Sequence, residues 1–401
     1  MVTQDAVNAQ GAAVTTLRPR SAAEVGAMLR DADERRLAVL IRGNGTKAGW
    51  GAPPRRTDVV LSLAGLHEPI EHCAGDLTVT APAGATLDAV NALLAREGQW
   101  LPLDPWAGGA STIGGLLATN DSGPRRLRAG APRDLVIGIE YALTDGRLVK
   151  AGGRVVKNVA GYDMGRLLCG SFGSLAAITS ATFKLSPVPP ASRTVVIEVP
   201  SETACTALVR ALAVAPVTPS AVELQAPGVR LLVRFETTPG AADQQAAQIV
   251  DLAAASGASA TIVDAAAETA IWSAHAAAVG PGASTLVRVS TLPTQLGALL
   301  GVVDGESGGL TWRLAGRALQ GVLLLALDGA PDRVARLVSA LREHAGRSQG
   351  HVAVLMATPA VRALTPAWDD VGSAAGVMQA VKAQFDPHGT LCPGGGPGGL
   401  A

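Results

Sequence analysis

Apolar residues in this chain fall into short, strand-length runs, separated by glycine-rich polar stretches in the first half and by helix-period segments in the second. RLAVLIR (36–42) and DVVLSL (58–63) predict two strands around the glycine loop GNGTKAGWGAPPRRT. DLTVTAPAGATLDAVNALLAREG (76–98) predicts a strand, a turn at Pro82 to Gly84 and an amphipathic helix from about Leu87 to Glu97. In DLVIGIEYALTDGRLVKAG (134–152), apolar alternation flanks Asp145-Gly146, a strong hairpin signal. A short helix over 164–169 precedes SLAAITSATFKLSPVPP, a strand closed by prolines that cannot continue a ladder. A domain boundary is expected near Pro190.

From 194 to 264 the predicted order is strand (TVVIEV), helix (201–213), strand (AVELQ), strand (VRLLVRFE), helix (240–255), strand (ATIVD). From 285 to 356 it recurs: strand (LVRVST), helix (293–302), strand (LTWRLAG), strand (LQGVLLLALDG), helix (330–345), strand (HVAVLM). Each half is a ferredoxin-like βαββαβ unit. Side by side, the two would form one long antiparallel sheet with helices on one face. A last helix, about 371–384, leads into the turn-rich tail FDPHGTLCPGGGPGGLA. The fold class is α+β, in three stretches: 1–190, 191–356 and 357–401.

Composition narrows the function. Lys+Arg 33 balances Asp+Glu 33, so there is no basic footprint for nucleic acid. No apolar run reaches the ~20 residues of a membrane span; the best, VLLLAL at 322–327, is strand length. The opening MVTQDAVNAQ lacks the basic and apolar regions of a secretory signal. The expectation is a cytoplasmic protein, held at the inner membrane only through partner subunits. The cysteines (Cys73, Cys169, Cys205, Cys392) form no C-x-x-C pair, which excludes an iron–sulfur or zinc site of sequence-local ligands. The histidines show no metal spacing either, and no metal site is expected.

Three glycine-rich segments are the candidates for chemistry. In IRGNGTKAGWG (41–51) the glycines fit neither G-x-G-x-x-G nor a P-loop, and the order strand–loop–strand lacks the helix those motifs open. Alternating small residues can still turn successive N–H groups to one side as an anion nest. Arg42, Thr46 and Lys47 would add donors for a pyrophosphate; a plain wide turn is the alternative reading. GGASTIGGLLATNDSG (108–123) carries five glycines and reads either as a plain surface loop or as a loop whose backbone comes close against a large bound molecule. In GGRVVKNVAGYDMGRLLCGSFGSLAAIT (152–179) the glycines can simply shape turns, with Asp163 capping the short helix.

The order and separation of RGNGTK, TVTAPAGATL, LPLDPWAGGASTIGGLLATNDSG, LRAGAPRDLVIGIEYALTDGRLVKAGG and KNVAGYDMGRLLCGSFGSLAAITSATFKLSP resemble the FAD-binding domain of the PCMH-type, or vanillyl-alcohol oxidase, superfamily. The resemblance covers roughly residues 14–190. It implies an N-terminal α+β domain of two subdomains that binds FAD, a cap domain over the isoalloxazine, and a chain end returning to the flavin domain. FDPHGTLCPG resembles the family's closing motif, with Cys392 where asparagine is usual.

Carried over residue by residue, the resemblance places Arg42, Gly43, Asn44, Gly45, Thr46 and Lys47 on one side of the FAD diphosphate. Ser111, Thr112, Ile113, Gly114 and Gly115 lie on the other, with Ala118, Thr119, Asn120 and Gly123 continuing that segment. Ala83 and Gly84 line the pocket, and Ile178 offers backbone groups to the flavin. Covalent relatives use a histidine in or near the first loop; here the nearest is His67, so non-covalent FAD is implied.

Within the superfamily, the K-N-V-A-G-Y-D-M run and the GHVAVLMA…PAWDD ending are most similar to the GlcE-type FAD subunits of glycolate oxidase (glycolate dehydrogenase). That implies oxidation of glycolate to glyoxylate in a complex with a catalytic FAD-containing 2-hydroxy-acid dehydrogenase subunit and an iron–sulfur subunit. A self-sufficient dehydrogenase and a non-catalytic scaffold are the alternatives. A hydroxy acid needs a base near the flavin and a cation for its carboxylate. Arg234, Arg288 and Arg313 are candidate cations; no catalytic base is assigned.

Overall fold

The computed structural model describes residues 3–7, 13–154, 161–280 and 282–399. Val155 to Ala160, including the K-N-V-A part of the run noted above, lie outside the described residues. The chain divides into two compact units: Met1–Ser122 with Gly130–Val188 and Asp370–Ala401, and Gly123–Ala129 with Pro189–Asp369.

The first unit holds two principal sheets. One orders Thr3–Val7, Ala13–Leu17, Val59–Ser62 and Val39–Arg42, with Val59–Ser62 parallel to both of its neighbours. The other is antiparallel, in the order Glu71–Cys73, Thr78–Pro82, Ala177–Lys184, Val136–Ala142, Leu148–Gly152. Val136–Ala142 and Leu148–Gly152 form the hairpin expected around Asp145-Gly146. Helix Ala22–Glu34 buries Val25, Leu29 and Ala32 in the unit's core. Asp163 caps helix Met164–Leu168, accepting a hydrogen bond from the Arg166 N–H at 3.0 Å.

One sequence expectation is corrected here. The stretch 108–123 is not loop throughout: Ile113–Thr119 is an α-helix, with Gly114 and Gly115 inside its first turn. Thr112 caps it, and buried Ile113, Leu116 and Leu117 anchor it.

The chain end also joins the first unit. The Val39 N–H donates to Thr390 O (2.7 Å) and the Cys392 N–H to Val39 O (2.9 Å). Beneath this contact lies buried Lys382 on helix Ala375–Phe385. Its Nζ donates to Ser174 O (2.9 Å), Leu391 O (2.9 Å) and Asp386 Oδ2 (2.5 Å).

In the second unit the two βαββαβ halves share one eight-stranded antiparallel sheet. Its order is Ser259–Val263, Ala191–Glu198, Arg230–Thr237, Ala221–Ala226, Thr311–Arg317, Val322–Asp328, Thr285–Ser290, His351–Met356. Each half runs 4-1-3-2 from its outer edge, and the second strands of the halves pair at the centre. Helices Glu202–Val214, Pro239–Ala255, Leu296–Glu306 and Pro331–Gly346 pack on one face over the main core. On Pro331–Gly346 the stripe Val334, Leu337, Val338, Leu341, Ala345 has helical spacing.

The expectation of helices on one face alone is corrected by a further helix, Ala265–Ala278, which joins the halves. It bonds Thr194, Glu223 and Gln225, which alternate with core-facing Val195, Val222 and Leu224 and so point to the opposite face.

Candidate cofactor-binding site

The strand Val39–Arg42 delivers its chain into the loop 43–47, and that loop meets the start of helix Ile113–Thr119 directly. Asn44 Nδ2 donates to Ala110 O (3.0 Å), Thr46 Oγ1 lies 3.3 Å from Ser111 Oγ, and Lys47 Nζ donates to Ser111 Oγ (3.0 Å). Gly43 makes the approach possible: a Cβ there would sit 2.2 Å from Thr112 Oγ1. Gly45 turns the loop at φ +76°, a conformation that costs glycine little.

The main-chain donors of these two segments are used differently. At the helix start, the N–H groups of Ile113 and Gly114 are taken by Ala85 O (2.9 Å) and Ala83 O (2.8 Å), and that of Gly115 by Thr112 Oγ1 (3.3 Å). Gly114 lies so close to Ala83 that a Cβ would come within 2.9 Å of the alanine's own. In the loop, among the described residues, no group accepts from the N–H of Asn44, Gly45, Thr46 or Lys47.

Ala83 also donates its N–H to Thr179 O (2.8 Å), so the segments at 44–47, 110–115, 83–85 and 179 form one connected series. Ile178 pairs with Tyr141, and the register shifts between Ile178 and Ser180. Such a bulge re-aims the backbone between its flanking pairs. Beside it Thr179 Oγ1 is buried with no partner among the described residues.

The other sites named from the sequence lie around this series. Arg42 ends its strand. Gly84 is held in the turn, its N–H on Leu66 O at 2.7 Å. Ala118 O accepts from the Phe172 N–H (2.8 Å), and Thr119 Oγ1 donates to Gly115 O (2.7 Å). Asn120 ends the helix at φ 49°, its Oδ1 accepting from the Arg133 N–H (3.3 Å) and the Cys169 thiol (3.4 Å). Gly123 falls in the segment grouped with the second unit.

Electrostatically the junction centres on Lys47. Its side chain is buried, and burial holds the ammonium below the usual lysine range even though the charge and hydrogen bond of Asp121 push the other way. Buried positive charge, hydroxyls and unspent N–H groups are the donor set a diphosphate requires. The sequence pointed to the loop and the hydroxyls; it did not single out Asp121, which only the fold brings to Lys47.

In the second unit, a polar cluster lies under helix Ala265–Ala278. His275 Nε2 lies 2.9 Å from Glu223 Oε2, and its Nδ1 lies 2.9 Å from Gln225 Nε2. Arg234 stacks 3.7 Å over the Trp272 ring. Glu236 is gripped by Arg125 through contacts of 2.8–3.1 Å. Burial alone would raise the Glu236 carboxyl, but Arg125 and Arg234 bring it below the ordinary glutamate range. Arg313 Nε donates to Ala278 O (2.8 Å), and Arg288 lies on strand Thr285–Ser290.

Residues 14–152 match the FAD binding domain family model. FAD is the cofactor, and the fold is that of the PCMH/VAO-type FAD oxidases. The 4-ethylphenol oxidase from Gulosibacter chungangensis matches with a TM-score of 0.73 at 14% identity, over 95% of this chain and 88% of that one.

Among curated proteins, the chain is 39% identical over 171 residues to a D-lactate dehydrogenase of Archaeoglobus fulgidus, covering 43% of this chain and 38% of that one. It is 37% identical over 179 residues to glycolate oxidase subunit GlcD of Bacillus subtilis, covering 44% and 38%. To glycolate oxidase subunit GlcE of Escherichia coli it is 37% identical over 155 residues, covering 38% and 44%. The match spans less than half the length of each of these relatives.

Proposed function

We propose that this chain is a GlcE-type FAD subunit of a glycolate oxidase complex, holding FAD non-covalently and taking part in the oxidation of glycolate, a 2-hydroxy acid, to glyoxylate. The observation that carries the reading is the junction of Thr46, Lys47 and Ser111 beside the 44–47 N–H groups, which have no acceptor among the described residues. Bound there, FAD supplies a two-electron acceptor. The chain's part is to bind and orient it: Lys47 offsets diphosphate charge, the 44–47 amides and the Thr46 and Ser111 hydroxyls donate, and Gly43 brings the two segments together.

The polar groups of the second unit support an accessory, electron-relaying role. His275 has both ring nitrogens engaged, so it offers no base. Arg234 is stacked on Trp272 and Arg313 is bonded to the main chain, so neither is a spare cation for a carboxylate. In this reading hydroxy-acid oxidation belongs to a catalytic FAD-containing subunit. Electrons leave through an iron–sulfur subunit, and the membrane is met only through partners.

The test is purification of the chain alone and with its two partners. The expected result is a yellow protein whose flavin is released by denaturation, silent with glycolate and a dye by itself and active in the complex. A colourless chain with no affinity for FAD would refute the reading. Turnover by the chain alone would establish instead the self-sufficient 2-hydroxy-acid dehydrogenase that its likeness to D-lactate dehydrogenase favours.

A further inference from the structure

The ion pair that partners Lys47 is internal, buried and loose. The Lys47 and Asp121 side chains are only 6% and 1% exposed, yet Nζ and Oδ2 are 3.5 Å apart. Charge-assisted N–H···O bonds are ordinarily about 2.7–2.9 Å long. The carboxylate is divided among donors, with Oδ1 accepting from the Trp106 N–H (3.3 Å) and Oδ2 from the Ala107 N–H (3.4 Å). The shorter bond from Nζ, 3.0 Å, goes to the neutral hydroxyl of Ser111.

Burial therefore costs this ammonium more than Asp121 returns, as the direction of its pKa shift agrees. The result is a cation incompletely offset by Asp121, next to amides that have no acceptor among the described residues. An anion of higher charge reaching the loop meets a lysine already claimed by a carboxylate.

We propose that Asp121 sets cofactor affinity as a built-in counter-anion: it occupies Lys47 in place of the diphosphate, and FAD binds only by displacing or sharing it. This rests on the FAD reading given above. Asp121 is thus a positioning residue with two opposed effects. It keeps Lys47 at the junction when no cofactor is bound, and it weakens the hold on the cofactor's phosphates. Charge makes the effect selective: it acts on ligands carrying the diphosphate and leaves a flavin without phosphate indifferent.

The experiment is calorimetric titration of the full chain, stripped of flavin, with FAD, ADP and riboflavin, comparing wild type with Asp121→Asn. The amide keeps the side chain's volume and one acceptor for the 106–107 loop while removing its charge. Expected is roughly tenfold tighter binding of FAD and of ADP, about 1.4 kcal/mol, with riboflavin unchanged within about twofold. Should the amide disturb folding, Asp121→Ser, which also keeps an acceptor, tests the same point.

Unchanged or weaker FAD binding by a folded variant overturns the role of Asp121 and leaves the cofactor reading standing. Equal tightening for riboflavin also overturns it, because the effect would then not run through phosphate charge. A wild-type chain that binds neither FAD nor ADP overturns both.

Discussion

Replacing Lys382 by methionine tests how the chain end is tied to the 43–47 loop. The ammonium is buried at 4% side-chain exposure against an Asp386 at 0%, and it also serves the carbonyls of Ser174 and Leu391. Removing one partner of a buried pair costs about 3–5 kcal/mol. Asp386 keeps the N–H groups of Thr390 (2.8 Å) and Leu391 (2.7 Å), which favours the lower end. A loss of about 3 kcal/mol, at about 2–4 °C per kcal/mol for a unit of this size, lowers the melting temperature by about 6–12 °C.

The effect should reach the cofactor. Thr390 and Cys392 bond Val39, and the strand from Val39 runs into the 43–47 loop. The assay is differential scanning calorimetry, following the transition that FAD raises, with FAD titration in parallel. The variant should also bind FAD more weakly. The double variant Lys382→Met/Asp386→Asn should lose less than the sum of the two single variants, because each single variant leaves a lone buried charge and the double variant leaves none. A shift under about 2 °C, or strict additivity in the double variant, would refute the reasoning.

Two further outcomes are expected. Gly43→Ala puts a Cβ against Thr112 and should cost about 1–3 kcal/mol of FAD affinity by isothermal titration, leaving the second unit's melting unchanged. Glu236, whose carboxyl is held below its ordinary range in the folded state, stabilises the second unit fully above the unfolded glutamate value, and this contribution is lost as pH falls through the lower folded value. Acid melting curves of wild type should therefore fall more steeply in that window than those of Glu236→Gln; parallel curves would count against it.

Where side-chain periodicity and burial agree, the elements were legible. Strands such as Val322–Asp328 and the helix Pro331–Gly346 follow their apolar runs and stripes. Helix Ala265–Ala278 leaves no apolar stripe in the sequence because two residues it buries, Glu268 and His275, are polar, so a hydrophobic pattern has nothing to register. Helix Ile113–Thr119 went unseen because two glycines sit in its first turn. Its stability comes from partners distant in sequence, the carbonyls of Ala83 and Ala85.

By itself, then, the amino-acid order determined the strands and helices of the paired βαββαβ halves, the hairpin around Asp145-Gly146 and where glycine concentrates in the first unit, since these depend on local spacing and on what glycine permits. The tertiary structure decided which donors are spent and which are free. It took the amides of Ile113 and Gly114 for the turn at 83–85, left those of 44–47 without acceptors among the described residues, and set Asp121 against Lys47. Hydrogen bonds and ion pairs between residues far apart along the chain follow from packing, and no period within one segment records them.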